Sequence, residues 1–332
     1  MRAHRRFSIH MQERPDPRAV ELLERLLGEG IELTFGPDLP GSPRYDLLVA
    51  GRPTERELDA SASLGVLLIP WAGLPQSTRT AMEKRPHISV HNIHHNAAPA
   101  AELAVALMMA AAKALVPVDR RLRADDWSPR YEPDLSVLLE GRRALLLGYG
   151  EIGRRIAGAC RGLGMQVTAL RRRPERTAPE CPDTILPPQA LHDALPAADV
   201  LHIALPHTAA TRGMIGAAEL ALLPADCILV NVARGPVVDE EALFRALESR
   251  SIRAAGIDVW YAYPKREDER TSTPPSRFPF GDLDNVVMSP HRAGAFAVRD
   301  VEEARVRAIA SSLIAAARGE PIPHLVDLAA GY

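Results

Sequence analysis

The chain has 332 residues, of which 46% are hydrophobic and 25% charged, and its formal net charge is −2. That length exceeds one ordinary core and fits two domains, while the apolar content excludes a disordered chain and the near-neutral charge excludes nucleic acid as a default partner. Positive charge is almost all arginine, because Lys84, Lys113 and Lys265 are the only lysines, and this bias is read as compositional.

Cys160, Cys181 and Cys227 form no CxxC pair, so neither a disulfide framework nor a metal site is expected, and a reducing cytoplasmic setting follows. The longest apolar run, from Ala97 to Val118, is Ala-rich and carries Glu102 and Lys113, which suits a buried helix better than a membrane span. The basic stretch at residues 1–15 has no long hydrophobic core behind it, so no signal peptide is read there.

In chain order, short β-rich runs alternate with helical patterns. "IELTF", "YDLLVA", "GVLLIP" and "HISVHN" occupy the first third. A helix from about Pro99 to Leu115 follows, and beyond it come "RALLLG", "QVTAL", "DVLHIAL", "CILVNV", "RAAGIDV" and "NVVMSP". Such alternation predicts parallel sheets covered by helices, an α/β chain of two doubly wound domains. The stretch from Lys265 to Asn285 is charged, Pro-rich and aperiodic, and is expected to be a long loop covering a site. The last stretch, from Asp300, predicts a helix and an extended tail that pack back on the first domain and make it discontinuous.

The strongest local signal is "RALLLGYGEIGRRIAGACRGLGMQVTAL", where a strand enters Gly148, Gly150 and Gly153 in GxGxxG spacing and a helix and second strand complete a βαβ unit. The first glycine suits a tight turn, the second lets a diphosphate approach the backbone, and the third allows close helix-to-strand packing. The helix N-terminus adds unpaired N–H groups for the anion. The next strand ends in Arg171, Arg172 and Arg173 where an NAD site usually carries an acid. A guanidinium holds a 2′-phosphate that a carboxylate would repel, so NADP is favoured over NAD.

Behind this turn come "VNVARGPVVDEEAL", "AAGIDVW" and "SPHRAG" in order, and with the "HNIHHNAAPAAELAVALMMA" stretch and the closing "PIPHLVDLAAGY" the chain resembles the D-isomer-specific 2-hydroxyacid dehydrogenase family almost end to end. The resemblance implies an NAD(P)-binding Rossmann domain, placed at 99–296, inserted into a discontinuous flavodoxin-like substrate domain, placed at 1–98 and 297–332. It also implies an active site in the cleft and a homodimer formed through the cofactor domain. By the family's pattern Arg234 binds the substrate carboxylate and His291 is the acid/base, both bordering the cofactor, and Asp258 contacts the nicotinamide carboxamide. Glu151, Ile152, Leu205, Pro206, Val232, Ala233 and Gly294 match further cofactor positions. Ala72, Gly73, Leu74 and Asn96 match substrate positions, Asn96 through the formate dehydrogenase branch. The chemistry agrees, since reducing a 2-oxo acid needs a cation for the carboxylate, a proton donor for the developing alkoxide and a hydride donor fixed over one face.

Tyr263 departs from the pattern, because the family normally has a glutamate there to raise the histidine pKa, and formate dehydrogenases have glutamine. Tyrosine brings no charge, so His291 is expected near its ordinary value of about 6.5. Three functions remain open. One is a 2-oxo acid reductase using His291 and Tyr263, or Glu267, Asp268 or Glu269 folded back as a substitute acid. The others are oxidation of formate or a similar oxyanion without proton transfer, and a catalytically silent nucleotide-sensing protein.

Overall fold

The computed structural model describes residues 6–176, 184–295 and 297–331, so Cys181 lies outside the described residues. Contacts divide the chain into two units, one of residues 1–96 with 295–332 and the other of residues 97–294.

In the first unit β1 (Phe7–Met11), α1 (Pro17–Leu27), β2 (Ile31–Phe35), β3 (Leu47–Val49), α2 (Glu55–Asp59), β4 (Val66–Ile69), α3 (Gln76–Glu83) and β5 (Ser89–Asn92) alternate as the pattern predicts. All five strands pair in parallel in the order β2-β1-β3-β4-β5, the flavodoxin-like arrangement. Asp16 starts α1 by accepting from the N–H groups of Arg18 and Ala19, and Pro17 occupies the first helical position, where a missing N–H costs nothing.

The second unit opens with α4 (Ala97–Ala112) and α5 (Leu115–Leu122), then runs β6 (Arg143–Leu147), α6 (Glu151–Gly162), β7 (Gln166–Leu170), β8 (Thr184–Leu186), α7 (Leu191–Ala194), β9 (Val200–Ile203), α8 (Ala217–Leu222), β10 (Ile228–Asn231), α9 (Glu240–Glu248), β11 (Ala254–Ile257) and β12 (Val286–Met288). Its seven strands are parallel in the order β12-β11-β10-β9-β6-β7-β8. The chain steps outward from β6 through β7 to β8 and then returns to β9 on the other side, so the order reverses between β6 and β9. Strands such as "LLL" of β6 and "ILV" of β10 are buried on both faces and therefore read as continuous apolar runs. Among the described residues no single helix is long and apolar enough to cross a membrane, and α4 buries Ala104, Leu107, Met108 and Ala112 against this sheet's core.

The closing helix α10 (Arg299–Arg318) returns to the first unit, where Val306, Ile309, Ala310 and Leu313 pack with Ile9, Leu23 and Leu47. The segment after it hydrogen-bonds the edge strand β5, with the N–H of Val326 donating to the carbonyl of Val90 at 2.8 Å. Two strands escape the sequence pattern. β1 lies in the basic segment read only for targeting, and β8 is a three-residue edge strand.

His202 is enclosed in the second core, with Nε2 3.4 Å from Met108 Sδ and 3.9 Å from Cys160 Sγ and with Nδ1 unpartnered. Burial pushes its pKa down to about 4, so the ring is neutral in the folded protein. The folded value lies below the unfolded value of about 6.5, so this stabilisation is present above pH 6.5 and is lost as pH falls toward 4. Chemical unfolding at pH 7 and pH 5 should therefore show about 2 kcal/mol more loss of stability in the parent protein than in His202→Leu. Equal losses in both proteins would count against His202 as the source.

Candidate active site

A parallel sheet delivers every strand's C-terminal end to one edge, and the predicted residues of the second unit collect there. The turn after β6 is shaped by its glycines. Gly148 has φ +102°, and a Cβ on it would lie 2.6 Å from the carbonyl oxygen of Ala204, after β9. A Cβ on Gly153 would meet the backbone of Gly148, whereas one on Gly150 would project into open space. Gly150 is also the N-cap of α6 and offers no side-chain acceptor, so the first-turn N–H groups face the space above it. This cradle fits a diphosphate, and the neighbouring Leu205 Cδ2, 3.3 Å from the same Cβ position on Gly148, lies beside the turn. Glu151 instead turns to Arg154 and Arg155 on its own helix, and Ile152 packs on the core. Pro206 begins a loop closed by Thr211, whose hydroxyl donates to the Pro206 carbonyl at 2.7 Å.

Arg234 follows β10. The buried Asn231 shapes its turn, accepting from the N–H of Ala233 at 3.0 Å and donating to the Arg234 carbonyl at 3.2 Å. Val232 and Ala233 are buried beneath, and the Arg234 side chain is exposed. Among the described residues no carboxylate lies within ion-pair distance of Arg234. This is notable in a chain whose other arginines so often pair with acids.

Asp258 follows β11 and is fully buried. Its Oδ1 accepts from Ser289 Oγ at 2.5 Å and from the N–H of Arg292 at 2.7 Å, and its Oδ2 accepts from the N–H of Ala293 at 2.9 Å. The segment so held, residues 289–293 after β12, carries His291 in the left-handed region at φ 58° and leads into Gly294. Among the described residues the imidazole makes no hydrogen bond. Partial burial and the Arg234 charge lower its pKa, against a weaker raising effect of Asp258, so the expectation of an ordinary value is corrected downward.

Tyr263 packs against His291 with ring centroids 5.5 Å apart, but its hydroxyl accepts from the N–H of Trp260 at 2.9 Å. It is 43% exposed and feels the charge of Arg234, so Arg234, Tyr263 and His291 gather at the exits of the adjacent strands β10, β11 and β12. The three acids considered as substitutes do not join them. Glu267 pairs with Arg270, Asp268 with Arg266, and Glu269 with Arg266 and the N–H of Lys265. Their loop is fastened at its far end, where Glu240 on α9 accepts from Ser276 and Arg277.

Trp260 is core, edge-on to Phe280, and Tyr261 is tied to the Val238 carbonyl. In the first unit Ala72, Gly73 and Leu74 form the loop after β4, with Gly73 at φ +97°, and Asn96 immediately precedes α4. Trp71 lines a cavity of about 210 Å³ with Met11, Leu23 and Val306. Sequence reasoning passed over Asn231 and Ser289, for which the available signal was a polar residue at the end of an apolar strand.

A family model for the D-isomer specific 2-hydroxyacid dehydrogenase NAD binding domain matches residues 105–293, more than half of the chain and the stretch that carries this edge. The chain belongs to that family. It is 34% identical over 232 residues to a glyoxylate reductase from Korarchaeum cryptofilum, covering 68% of this chain and 65% of that protein, and it spans about half the length of another curated relative. Two solved structures match over nearly their full lengths. A candidate formate dehydrogenase from Pyrobaculum aerophilum is 26% identical with a TM-score of 0.79, covering 98% of this chain and 100% of that one. An NADPH-dependent glyoxylate/hydroxypyruvate reductase from Sinorhizobium meliloti, in complex with NADP and malonate, is 25% identical with a TM-score of 0.70, covering 98% of each chain. Membership makes the second unit an NAD(P)-binding domain.

The glycine geometry separates binding from folding. Gly150→Ala should leave the melting temperature within about 1 °C, because its methyl enters open space, yet weaken binding of the nicotinamide cofactor at least tenfold by isothermal titration. Gly153→Ala should lower the melting temperature by several degrees, because its methyl meets the Gly148 backbone.

Proposed function

We propose that the protein interconverts a 2-oxo acid and the corresponding 2-hydroxy acid with a nicotinamide cofactor. The observation that carries this reading is the meeting of an exposed guanidinium without an acidic partner and an imidazole without a hydrogen-bond partner, beside a turn that fits a diphosphate. Arg234 holds the substrate carboxylate through a two-pronged hydrogen bond and polarises the adjacent carbonyl. Protonated His291 gives its proton to the carbonyl oxygen as the alkoxide develops, and neutral His291 takes it back from the hydroxyl in the reverse direction. NAD(P)H, when bound, supplies the hydride that reduces the carbonyl carbon. The residues proposed to hold the cofactor are Gly148, Gly150, Gly153, Leu205, Pro206, Val232, Ala233 and Gly294, with Glu151 and Ile152 at the start of α6. Ala72, Gly73, Leu74 and Asn96 are proposed to bind substrate. Glyoxylate and hydroxypyruvate are the first substrates to test, since relatives carry those activities in their names.

Tyr263 sets the proton donor's range by what it omits. Partial burial and the Arg234 charge hold His291 below its ordinary value, and reduction should fall away as pH rises through that depressed pKa. Tyr263→Glu should move this limb of kcat/KM upward by about a pH unit or more, and Tyr263→Phe should leave it in place, because the hydroxyl is bound to Trp260. A Tyr263→Glu profile that overlays the parent would remove Tyr263 from the site.

The arginines after β7 support a preference for NADP, and NADPH should exceed NADH in kcat/KM at least tenfold, a margin that the double variant Arg171→Ala/Arg172→Ala narrows. Preference for NADH in the parent would sink that assignment. The second unit also exposes large apolar side chains after α4, with Trp127 63% and Tyr131 78% accessible beside Leu115 and Leu138. These support a homodimer through the cofactor domain, for which light scattering would return twice the chain mass.

A second reading, oxidation of formate or a similar oxyanion, is favoured by the absence of a carboxylate on His291 and by the likeness to the Pyrobaculum protein. NADP+ reduction with formate, measured beside NADPH oxidation with a panel of 2-oxo acids, decides between them. Cofactor binding with no turnover in either direction would favour a nucleotide sensor.

A further inference from the structure

The turn that carries Arg234 meets the exit of β11 with no room between them. A Cβ on Gly235 would lie 2.3 Å from the Trp260 carbonyl oxygen and 2.6 Å from its carbonyl carbon, both backbone atoms. Gly235 is buried and is not among the glycines with positive φ, so the fold uses its small size and not its conformational freedom. Both sides of this contact are held. The peptide that bears the Trp260 carbonyl is pinned at its other end, where the Tyr261 N–H donates to the Pro275 carbonyl at 3.1 Å. Facing it, the Arg234 turn is shaped by Asn231, which accepts from the N–H of Ala233 and donates to the Arg234 carbonyl, and Pro236 favours an extended Gly235. The backbone of Asn231 ties the same turn to β11, because its carbonyl accepts from the Asp258 N–H at 3.0 Å.

Beyond this contact Trp260 leads to the imidazole by two hydrogen bonds. Its backbone N–H donates to the hydroxyl of Tyr263, whose ring packs on His291, and its Nε1–H donates at 2.8 Å to the carbonyl of Ser289, two residues before His291. Gly235 thus stands where the support of the guanidinium meets the support of the imidazole. Resting on the reading of Arg234 as the carboxylate-binding group and His291 as the proton donor, we propose that Gly235 and Asn231 are positioning residues that set the spacing between the two. One substrate must reach both groups at once, so their separation has to match the short span from a carboxylate to the adjacent carbonyl oxygen. The charged and titratable groups around the imidazole are Arg234 from the exit of β10, Asp258 and Tyr263 from that of β11, and Arg292 on its own segment, while His207 after β9 feels Arg234 in turn. Moving the Arg234 turn outward chiefly alters one of these influences, the repulsion between Arg234 and a protonated ring.

The test compares the parent with Gly235→Ala and Asn231→Ser. The methyl of Gly235→Ala forces the two backbones apart by about 1 Å, and a displacement of that size at a reacting centre costs about a hundredfold in rate. Asn231→Ser removes the donor to the Arg234 carbonyl without adding bulk, and a smaller loss of about tenfold is expected. Three quantities are read in each protein: the dissociation constants of NADPH and NADH, the His291 titration by NMR assigned through His291→Gln, and kcat and KM for glyoxylate. Cofactor affinity should stay within about threefold while kcat/KM falls by the factors given, the pattern of a site whose groups are intact and misplaced. His291 should titrate higher, toward about 6.5, as Arg234 moves off, and the limb at which reduction is lost should rise with it. A folded Gly235→Ala that keeps kcat/KM within about twofold of the parent overturns the proposal. So does a lower melting temperature with an unmoved His291 titration, which reduces both residues to packing, and so does a complex about tenfold weaker with both cofactors, which makes the turn a cofactor support. Should Gly235→Ala fail to fold, the same outcomes in Asn231→Ser decide. A parent that reduces no 2-oxo acid, with the His291 titration still moving up in the variants, leaves the spacing role standing and removes only the proposed reaction.

Discussion

Parallel strand pairing is the constraint on which the rest depends. Because β6, β9, β10, β11 and β12 run in one direction, each leaves the sheet at the same edge, and residues far apart in sequence become neighbours there without any helix having to turn inward. The ladder register fixes the alignment. Asn231 lies opposite Ile257 and Ile257 opposite Met288, so the segments bearing Arg234, Asp258 and His291 begin at nearly the same height. The reversal of strand order between β6 and β9 opens space for a ligand, and the glycine turn stands at that point.

The charge arrangement at this edge is built as much from omissions as from contacts. Arg85, Arg250 and Arg277 are each held by carboxylates, and the acids of the 265–270 loop are spent on its own arginines. Arg234 is left with an exposed positive charge, and Asp258, whose charge reaches His291, accepts from Ser289 and from the N–H groups of Arg292 and Ala293. An unbalanced cation beside a partly desolvated imidazole favours an anionic ligand and the neutral form of the ring.

Much of this was legible in the sequence because it is local. GxGxxG between a strand and a helix specifies a turn in which Gly153 packs on Gly148 five positions earlier, although Gly148 itself meets the distant Ala204, and the apolar runs marked ten of the twelve described strands to within a few residues. β1 was hidden because "FSIHM" is short and follows basic residues, although its place at the heart of the first sheet comes from pairing with both β2 and β3. The supports of the site were not legible. Asp258 and Ser289 are 31 positions apart, Trp260 and Ser289 are 29 apart, and no spacing rule connects them. The role of Tyr263 was inferred from what it replaces, whereas its hydroxyl bond is decided by a backbone N–H three residues earlier.

The return of α10 to the first unit has a consequence for biosynthesis. The inserted unit is a continuous stretch with its own two-sided core, so every strand of its sheet is synthesised before α10. The earlier sheet lacks part of its cover in the meantime, because α1 lays Leu23 beside Ile9 and Leu47 but Val306, Ile309 and Leu313 are synthesised last. During that interval part of an apolar sheet face is open to solvent, a patch for which a chaperone is the natural cover.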